Sequence, residues 1–551
     1  HAGGRTASVT EARAGAGEAP AARGSIGRST AVFAVWTAVS RVAGLVREIV
    51  AAALFGTQGA INAFVIAFQV PNLLRSLVAD SALSAAFVPV FTELQEQGRK
   101  AEARRLAGAL AGVITIGLGA ITLLAIVLAP WVMPLFAPGL PENLQDDLVS
   151  LSQIMFPIVP LLGLTGLVVG ILQAGGVFGP TAFVPVLWNA VILFGLLIVA
   201  PFVSGDTRIY VYAGAILVGT LAQFIYLLPY VRRQGPFPLS FGLRIRDVWR
   251  VLVLMLPITL GLGLINVIAS VDSVFATLVS EESVRAIDAA FRLYILPQGI
   301  FSVAISTVLF PSISRLAARD DMTGLRHTVA SGLRQIFFFL LPASAFLMVL
   351  AEPVVRLVFQ RGEFGPASTS LTADALFYFT LGLVFNGASL LLIRTFFSLQ
   401  RPWLPTVVAG VGVALNIVLD AILYRPVGTG GIPLSTSITS FATFLLLLWL
   451  LRRELQARDP DLSPAGEARE RAYVVSGFMR ALAGAAITGL LAWATWRVLD
   501  DALGRSVGAQ LVSLAMAMLA AVVAFLAAAQ AMELPELRNL VRLARPLRSL
   551  R

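Results

Sequence analysis

Along this chain apolar residues come in long unbroken blocks rather than in alternation. Runs of about 20 apolar residues, the length one helical crossing of a bilayer requires, recur from end to end. Fourteen can be placed, near 30–56, 60–92, 105–136, 148–174, 180–203, 209–231, 247–279, 284–314, 327–350, 368–399, 403–424, 430–452, 472–498 and 508–532. A spanning segment must satisfy its own backbone hydrogen bonds, which leaves helices or a closed barrel. Continuous blocks predict helices, because a barrel would alternate with period two. The expected fold is an all-α polytopic membrane protein of about fourteen transmembrane helices.

The polar stretches between the blocks carry a charge pattern that tests this count. Cations gather after the second span (Arg99, Lys100, Arg104, Arg105), the sixth (Arg232, Arg233, Arg244, Arg246, Arg250), the eighth (Arg315, Arg319, Arg326) and the twelfth (Arg452, Arg453, Arg458, Arg469, Arg471). The C-terminal stretch adds Arg538, Arg542, Arg545, Arg548 and Arg551. Loop 137–147, of the other parity, has no cation and holds Glu142, Asp146 and Asp147. The bias predicts an even number of spans in a cytoplasmic membrane, with both termini in the cytoplasm.

Composition agrees and removes several function classes. The chain is 57% hydrophobic and 13% charged, against about 25% charged for soluble domains. It has no cysteine, so disulfides, thiolate nucleophiles and Cys-ligated metals are excluded. Its histidines are His1 and His327, too few for a His-based metal site or a Ser-His-Asp triad. His1, opening a chain without an initiator Met, is expected to be a processing remnant. An enzyme is not expected. The formal charge of +10 is read as topology first and nucleic-acid binding a poor second. The basic amphipathic stretch 534–551 is expected to lie on the anionic inner leaflet.

The chain also repeats itself. Ile61-Asn62-Ala63 is echoed by Ile287-Asp288-Ala289, and Pro71-Asn72 by Pro297-Gln298 at the same offset. Span two thus matches span eight. An even separation preserves orientation, so the repeat is parallel, about an axis along the membrane normal. The expected organisation is a cytoplasmic tail (1–28), two pseudo-symmetric six-helix lobes (29–233 and 234–453), two further helices (454–533) and the basic tail (534–551). Prolines 71, 89, 157, 160, 297 and 311 fit bending helices, although such prolines are also ordinary in membranes.

Charges within spans mark candidate chemistry, since each costs about 2.5–3.5 kcal/mol at mid-bilayer. Span one has Ser40, Arg41, Arg47 and Glu48, span two Arg75 and Asp80, and span eight Asp288 and Arg292. Four arginines on spans that should face one another are expected to line a water-filled cleft. Guanidinium forks suit phosphate oxygens, and a cluster suits a diphosphate. Local pairing, such as Arg47 with Glu48 or Arg75 with Asp80, and snorkelling of Arg75 stay open. Arg41 and Arg47, six residues apart, point about 120° apart on a straight helix unless Gly44 allows a bend. In the second half, Asp272, Asn416, Asp420 and Thr436 form an oxygen set that would suit a small cation. On residue types alone, interhelical hydrogen bonding is the better account of it.

The segments Ser40-Arg-Val-Ala-Gly-Leu-Val-Arg-Glu, Ala53-Leu-Phe-Gly, Ala63-Phe-Val-Ile-Ala-Phe, Pro71-Asn-Leu-Leu-Arg and Ala86-Phe-Val-Pro closely resemble the opening of the MurJ (MviN) family. Leu309-Phe-Pro-Ser-Ile-Ser and Val358-Phe-Gln-Arg-Gly-Glu-Phe resemble later signatures of that family. The likeness runs from about residue 30 to 450. It implies the fold of the multidrug/oligosaccharidyl-lipid/polysaccharide exporter superfamily, with spans thirteen and fourteen forming a groove for a polyprenyl tail. It implies transfer of lipid II to the outer leaflet for peptidoglycan and cell-wall synthesis, and thus for cell shape. By resemblance the substrate-binding residues are Arg41, Arg47, Arg75 and Arg292, with Ser40 and Asp80 beside them. The sodium pattern falls on Asp272, Asn416, Asp420 and Thr436, which tips that set toward an ion. The family pattern departs at Asn62, Arg75-Ser76, Asp80-Ser81 and Ile295.

The expected mechanism is alternating access: capture of the diphosphate by the arginines, with reset driven by the membrane potential, by sodium, or by both. No Gly-rich Lys-Ser/Thr loop for ATP occurs. Apart from sodium no cofactor is expected. The expected partners are lipid II, membrane lipids and cell-wall synthesis proteins, for a monomer. Rivals are an exporter of drugs or of another polyprenyl-linked saccharide, a membrane enzyme acting on polyprenyl diphosphates, and a non-transporting cell-wall scaffold. A drug-cation exporter would need an acidic cavity, and such an enzyme clustered acids or His.

Overall fold

The structure, a computed structural model, describes residues 20–78, 81–235, 246–459 and 464–537. The described residues form helices and turns, with no strand among them. The first half contains α1 (Pro20–Phe55), α2 (Ala60–Val78), α3 (Ser81–Glu96), α4 (Lys100–Val132), α5 (Glu142–Met155), α6 (Ile158–Ala174), α7 (Gly179–Phe194) and α8 (Arg208–Arg232). The second half contains α9 (Arg246–Val279), α10 (Ser283–Pro297), α11 (Val303–Ala318), α12 (Met322–Val349), α13 (Ala351–Phe359), α14 (Pro366–Ser398), α15 (Trp403–Val427) and α16 (Gly431–Arg458). The pair α17 (Pro464–Leu503) and α18 (Val507–Ala531) follows. Ten stretches of described residues are long and apolar enough to cross a membrane, and one of them, Trp403–Arg458, holds both α15 and α16.

Helix α1 starts at Pro20, inside the segment expected to be a tail. Proline suits a first helical position, and the Ala- and Arg-containing residues after it favour helix. Of the prolines expected to bend spans, two sit at breaks. Pro157 separates α5 from α6, and Pro297 ends α10 before a π-helical turn, Gln298–Ser302, that leads into α11. A proline lacks the N–H that an uninterrupted helix needs. Pro71, Pro89 and Pro311 stay inside helices.

The helices pack in two groups. In one, α7 lies against α1 and α8, α6 against α3, α4 and α8, and α5 against α2. In the other, α14 lies against α10, α12 and α16, and α15 against α9 and α16. Helix α9 joins the groups, because it also packs on α2 and α3. Val248 and Val251 of α9 share a buried core with Phe87, Phe91 and Leu227. Large apolar residues remain exposed along α4 (Leu124, Val127, Trp131) and α18 (Leu511, Leu519, Val523). Such faces would be a liability in water and are ordinary against lipid.

Helix α17 lies along α12, with α18 along α17. Among the described residues three ion pairs fasten this hairpin, one of them between Arg326 of α12 and Glu470 of α17 at 2.5 Å. Arg334 of α12 donates to Glu536 at 2.5 and 3.1 Å and to the Tyr473 carbonyl at 3.1 Å. At the other end, Arg356 of α13 lies 2.5 Å from Glu352 and 3.7 Å from Asp500 of α17.

One end of the bundle ties the two groups together. Gln58 donates to Glu282 at 2.7 Å, and the Gly59 N–H donates to Glu281 at 2.5 Å. The Thr57 and Ser368 hydroxyls are 2.7 Å apart, and the Glu363 N–H donates to the Ala53 carbonyl at 2.9 Å. Closeness here requires glycine. A Cβ on Gly139 would stand 2.0 Å from the Thr277 carbonyl oxygen, and one on Gly362, at φ +57°, 2.2 Å from that of Ala53.

Candidate functional site

The repeat seen in the sequence brings the start of α2 beside the start of α10. The Asn62 carboxamide oxygen accepts from the Arg285 N–H at 3.0 Å, and its amide donates to the Thr57 carbonyl at 2.8 Å. Asn62 is fully buried. At this position, where the family pattern departs, the side-chain oxygen accepts from the second group while the amide donates within its own turn.

A network of buried charges spans α1 and α10. Arg47 donates to Glu48 at 2.7 Å and to the Asn189 oxygen at 3.0 Å, and its guanidinium sits 4.7 Å from the centre of the Trp188 ring. The other oxygen of Glu48 faces Arg285 at 3.4 Å and Nε of Arg292 at 3.0 Å. Arg285 also donates to Asp288 at 2.6 Å, and Arg292 donates to Asp288 at 3.2 and 3.1 Å. Three guanidiniums thus share two carboxylates. Residues 237 apart in sequence meet at Glu48 and Arg285.

The network sorts the arginines expected to line a cleft. Arg47 is buried and paired, as local pairing with Glu48 requires. Arg292 keeps 36% of its side chain exposed. Arg41 is exposed and makes no hydrogen bond or ion pair among the described residues. Its Nη1 lies 3.5 Å from where a Cβ on Gly299 would be. Gly299 lies in the π-helical turn just after α10, so the Arg41 side chain reaches the segment that continues from the helix carrying Arg292. Helix α1 continues without interruption through Gly44, and the angular separation of Arg41 and Arg47 sends them to different surroundings. The Ser40 carbonyl accepts from Asn189 at 3.4 Å. The backbone of Arg75 lies in α2, its side chain outside the described residues, and Asp80 is outside them altogether.

Arg285 was not singled out in the sequence, although it is a charge within a predicted span. Its i,i+3 spacing to Asp288 was the available signal. Ile295 is exposed.

The second constellation assembles from α9, α15 and α16. Asn416 and Asp420, four apart on α15, are both fully buried. The Asn416 amide donates to the Ser435 hydroxyl at 2.8 Å, and that hydroxyl donates to Asp420 at 2.5 Å. The Thr436 hydroxyl reaches Asp272 at 3.4 Å. Asp272 faces both Asp420 and Asn416. One oxygen each of Asp272, Asn416 and Asp420 is buried without a hydrogen-bond partner. Two facing carboxyls, each with one oxygen that lacks a donor, and an unpartnered amide oxygen fit a small hard cation. Ser435, adjacent to Thr436 in sequence, is a member of this set that the structure adds.

A family model described as lipid II flippase MurJ matches residues 51–503. The chain belongs to the lipid II flippase MurJ family. The match contains Arg285, Arg292, Asp272, Asn416, Asp420 and Thr436, while Arg41, Arg47 and Glu48 precede it. The chain is 31% identical over 426 residues to the lipid II flippase MurJ of Burkholderia cenocepacia, covering 76% of this chain and 82% of that one. A solved lipid II flippase MurJ in an inward closed conformation superposes with TM-score 0.74 at 22% identity, over 91% of this chain and 99% of the other. An inward-facing multidrug resistance MATE family transporter of the MOP superfamily superposes with TM-score 0.67 at 16% identity, over 77% and 96%. The all-α polytopic fold is therefore of the MurJ and MATE transporter type, and the resemblance read from the motifs holds.

Proposed function

We propose that this protein flips lipid II, the polyprenyl-diphosphate-linked peptidoglycan precursor, from the inner to the outer leaflet of the bacterial cytoplasmic membrane. The observation that carries the reading is the network at Glu48 in a chain of the MurJ family. Fourteen crossings with both termini inside, a first lobe of 29–233 and a second of 234–453 frame the transport path. Arg41 on one lobe and Arg292 on the other keep donors available for the diphosphate. Arg47 and Arg285 hold Glu48 and Asp288, which in turn orient Arg292. Glu48 sits between the lobes, so the same contacts that aim Arg292 also bind α10 to α1. Alternating access would exchange them for contacts at the other end of the bundle. The positive-inside pattern assigns the joined end, at residues 53–62 and 281–285, to the outside, which makes this a state closed outward.

The oxygens of Asp272, Asn416 and Asp420 with the hydroxyl of Thr436 would hold a sodium ion. Its charge would offset that of two facing carboxylates. Ser435 bridges Asn416 and Asp420 and keeps their free oxygens apart from its own hydrogen bonds. The protein then acts as a monomeric transporter, not as an enzyme, with cell-wall synthesis proteins as partners in using its product.

Replacing Arg292 or Arg41 by Ala removes one or two charge-assisted hydrogen bonds to phosphate, each of about 1.5–3 kcal/mol. Each variant is expected to fail to support growth of a flippase-depleted strain while accumulating as folded protein. It should also weaken lipid II binding roughly tenfold or more in detergent. Normal growth on either variant overturns the assignment. Reconstituted translocation of lipid II beside another polyprenyl-diphosphate saccharide, with sodium and potential varied separately, separates this reading from an exporter of the same fold.

A further inference from the structure

Two of the segments that resemble family signatures meet in space, although neither belongs to the polar clusters. Ala53-Leu-Phe-Gly56 ends α1 and turns toward α2, and Val358-Phe-Gln-Arg-Gly-Glu-Phe364 ends α13 and turns toward α14. The two turns face each other at the end of the bundle that the positive-inside pattern assigns to the outside. Each has a glycine in the left-handed region that glycine enters freely, Gly56 at φ +61° and Gly362 at φ +57°. Each glycine lies against a carbonyl of the other turn. A Cβ on Gly56 would stand 2.6 Å from the Glu363 oxygen, and one on Gly362 2.2 Å from the Ala53 oxygen. The Glu363 N–H donates to that same Ala53 oxygen at 2.9 Å. Beside them the Thr57 and Ser368 hydroxyls, 311 residues apart, pair at 2.7 Å.

Neither turn has slack. A methyl group would strike main chain here, not the movable end of a side chain. The Gly56 N–H donates to the Ala52 carbonyl at 2.8 Å, and Ala51 and Ala52 are fully buried. Under the other turn Phe359 and Phe364 are fully buried with ring centres 5.7 Å apart, and the Thr369 hydroxyl donates to Gln360 at 3.0 Å. Close-packed surroundings of this kind do not absorb an added methyl without strain. A left-handed glycine need not be so confined. Gly59, in the same turn as Gly56, has φ +69° and nothing within 4 Å of where its Cβ would be.

We propose, on the flippase reading, that these turns are the two halves of a latch that closes the transport path on the outside, and that Gly56 and Gly362 set how near the lobes come. One N–H···O bond and one hydroxyl pair add little strength, so the latch parts readily. What it supplies is closeness, main chain on main chain, with no space for water or a headgroup between the turns. Helix α1 runs unbroken from Glu48 to Phe55, about two turns. A wedge at either glycine therefore also draws Glu48 away from Arg285 and Arg292. The fit of the turns governs whether the Glu48 network can form.

The chain contains no cysteine, so nitroxide pairs can be attached without background. With labels at Asn143→Cys on α5 and Ala367→Cys on α14, both exposed, double electron–electron resonance on the purified full chain reads the separation of the lobes at this end. The otherwise unaltered chain should show mainly a short distance. Gly362→Ala and Gly56→Ala should each move most molecules to a longer one. Gly59→Ala, with the same backbone strain and no obstruction, should keep the short one. An unchanged distribution in Gly362→Ala and Gly56→Ala overturns the latch, and so does an equal shift in Gly59→Ala. A second variant does not depend on the wedged chains folding. Thr57→Cys with Ser368→Cys places two thiols where the hydroxyls meet. Once oxidised, it should lose roughly tenfold or more of its lipid II translocation in proteoliposomes, because the state open outward is withheld, and should recover it on reduction. Full translocation with the disulfide formed overturns the latch. If the unaltered chain moves no lipid II while the distances shift as expected, the flippase reading fails and the latch stands.

Discussion

The two polar clusters inside this bundle are opposites in what they leave unsatisfied. In the Glu48 network each carboxylate oxygen is engaged by a guanidinium, and the buried atoms without hydrogen-bond partners are donors, Nε of Arg47 and Nε of Arg285. Around Asp420 the reverse holds, since the unpartnered atoms are acceptor oxygens of Asp272, Asn416 and Asp420. Buried polar groups are nearly always paired, so leftovers of a single kind indicate the sign of what belongs there. Excess donors suit an anion and excess acceptors a cation. The clusters also differ in placement. The first joins the two helix groups through α1 and α10, and the second lies within the second half, at α9, α15 and α16.

Four measurements would break or sharpen this contrast. The largest effect is expected for Glu48→Gln, which leaves Arg47, Arg285 and Arg292 without their shared anion. Removing one partner of a buried ion pair costs about 3–5 kcal/mol, to be read as a lower unfolding temperature in detergent. A neutral result would show that the network carries no weight. Asp420→Asn should behave differently, keeping the fold in the absence of sodium while losing its stabilisation by sodium. A site at a hundredfold excess of ion over Kd contributes about 2.7 kcal/mol. Equal sodium stabilisation of variant and wild type would remove the ion from this cluster. Arg285→Lys keeps the charge but not the fork that reaches Glu48 and Asp288, and should cost about 1–2 kcal/mol, less than Arg285→Ala. Gln58→Ala removes an exposed hydrogen bond to Glu282 at the joined end and should cost about 0.5 kcal/mol or less. A larger loss there would mean that the end contacts, rather than the Glu48 network, hold the lobes together.

Much of the site could be read from the chain, though not the part each member plays. Arg41, Arg47, Glu48, Asp288 and Arg292 stand out as charges in apolar segments, and the cost of burying them points to function. That Arg47 turns inward to Asn189 and Trp188 while Arg41 stays exposed depends on where α7 packs. The absence of Arg285 from the expected set has the same origin, because its partner Glu48 belongs to another helix. Asn62, where the family pattern is lost, accepts from the α10 backbone through its oxygen while its amide donates to the α1–α2 turn.

The sequence by itself determined that the chain lives in a bilayer, roughly where its apolar helical segments lie, and which family it joins, but not the early start of α1 or the breaks that divide spans 60–92, 148–174 and 284–314. Those properties rest on local hydropathy, on backbone hydrogen bonds closed within each segment, and on short motifs. Tertiary structure alone decided which arginines pair and which stay available. It also made Ser435 the bridge between Asn416 and Asp420, and set the turn at Gly56 against the turn at Gly362. Ion pairing and burial fall off within a few ångströms, so they are set by neighbours in space, and those neighbours come from helices far apart along the chain.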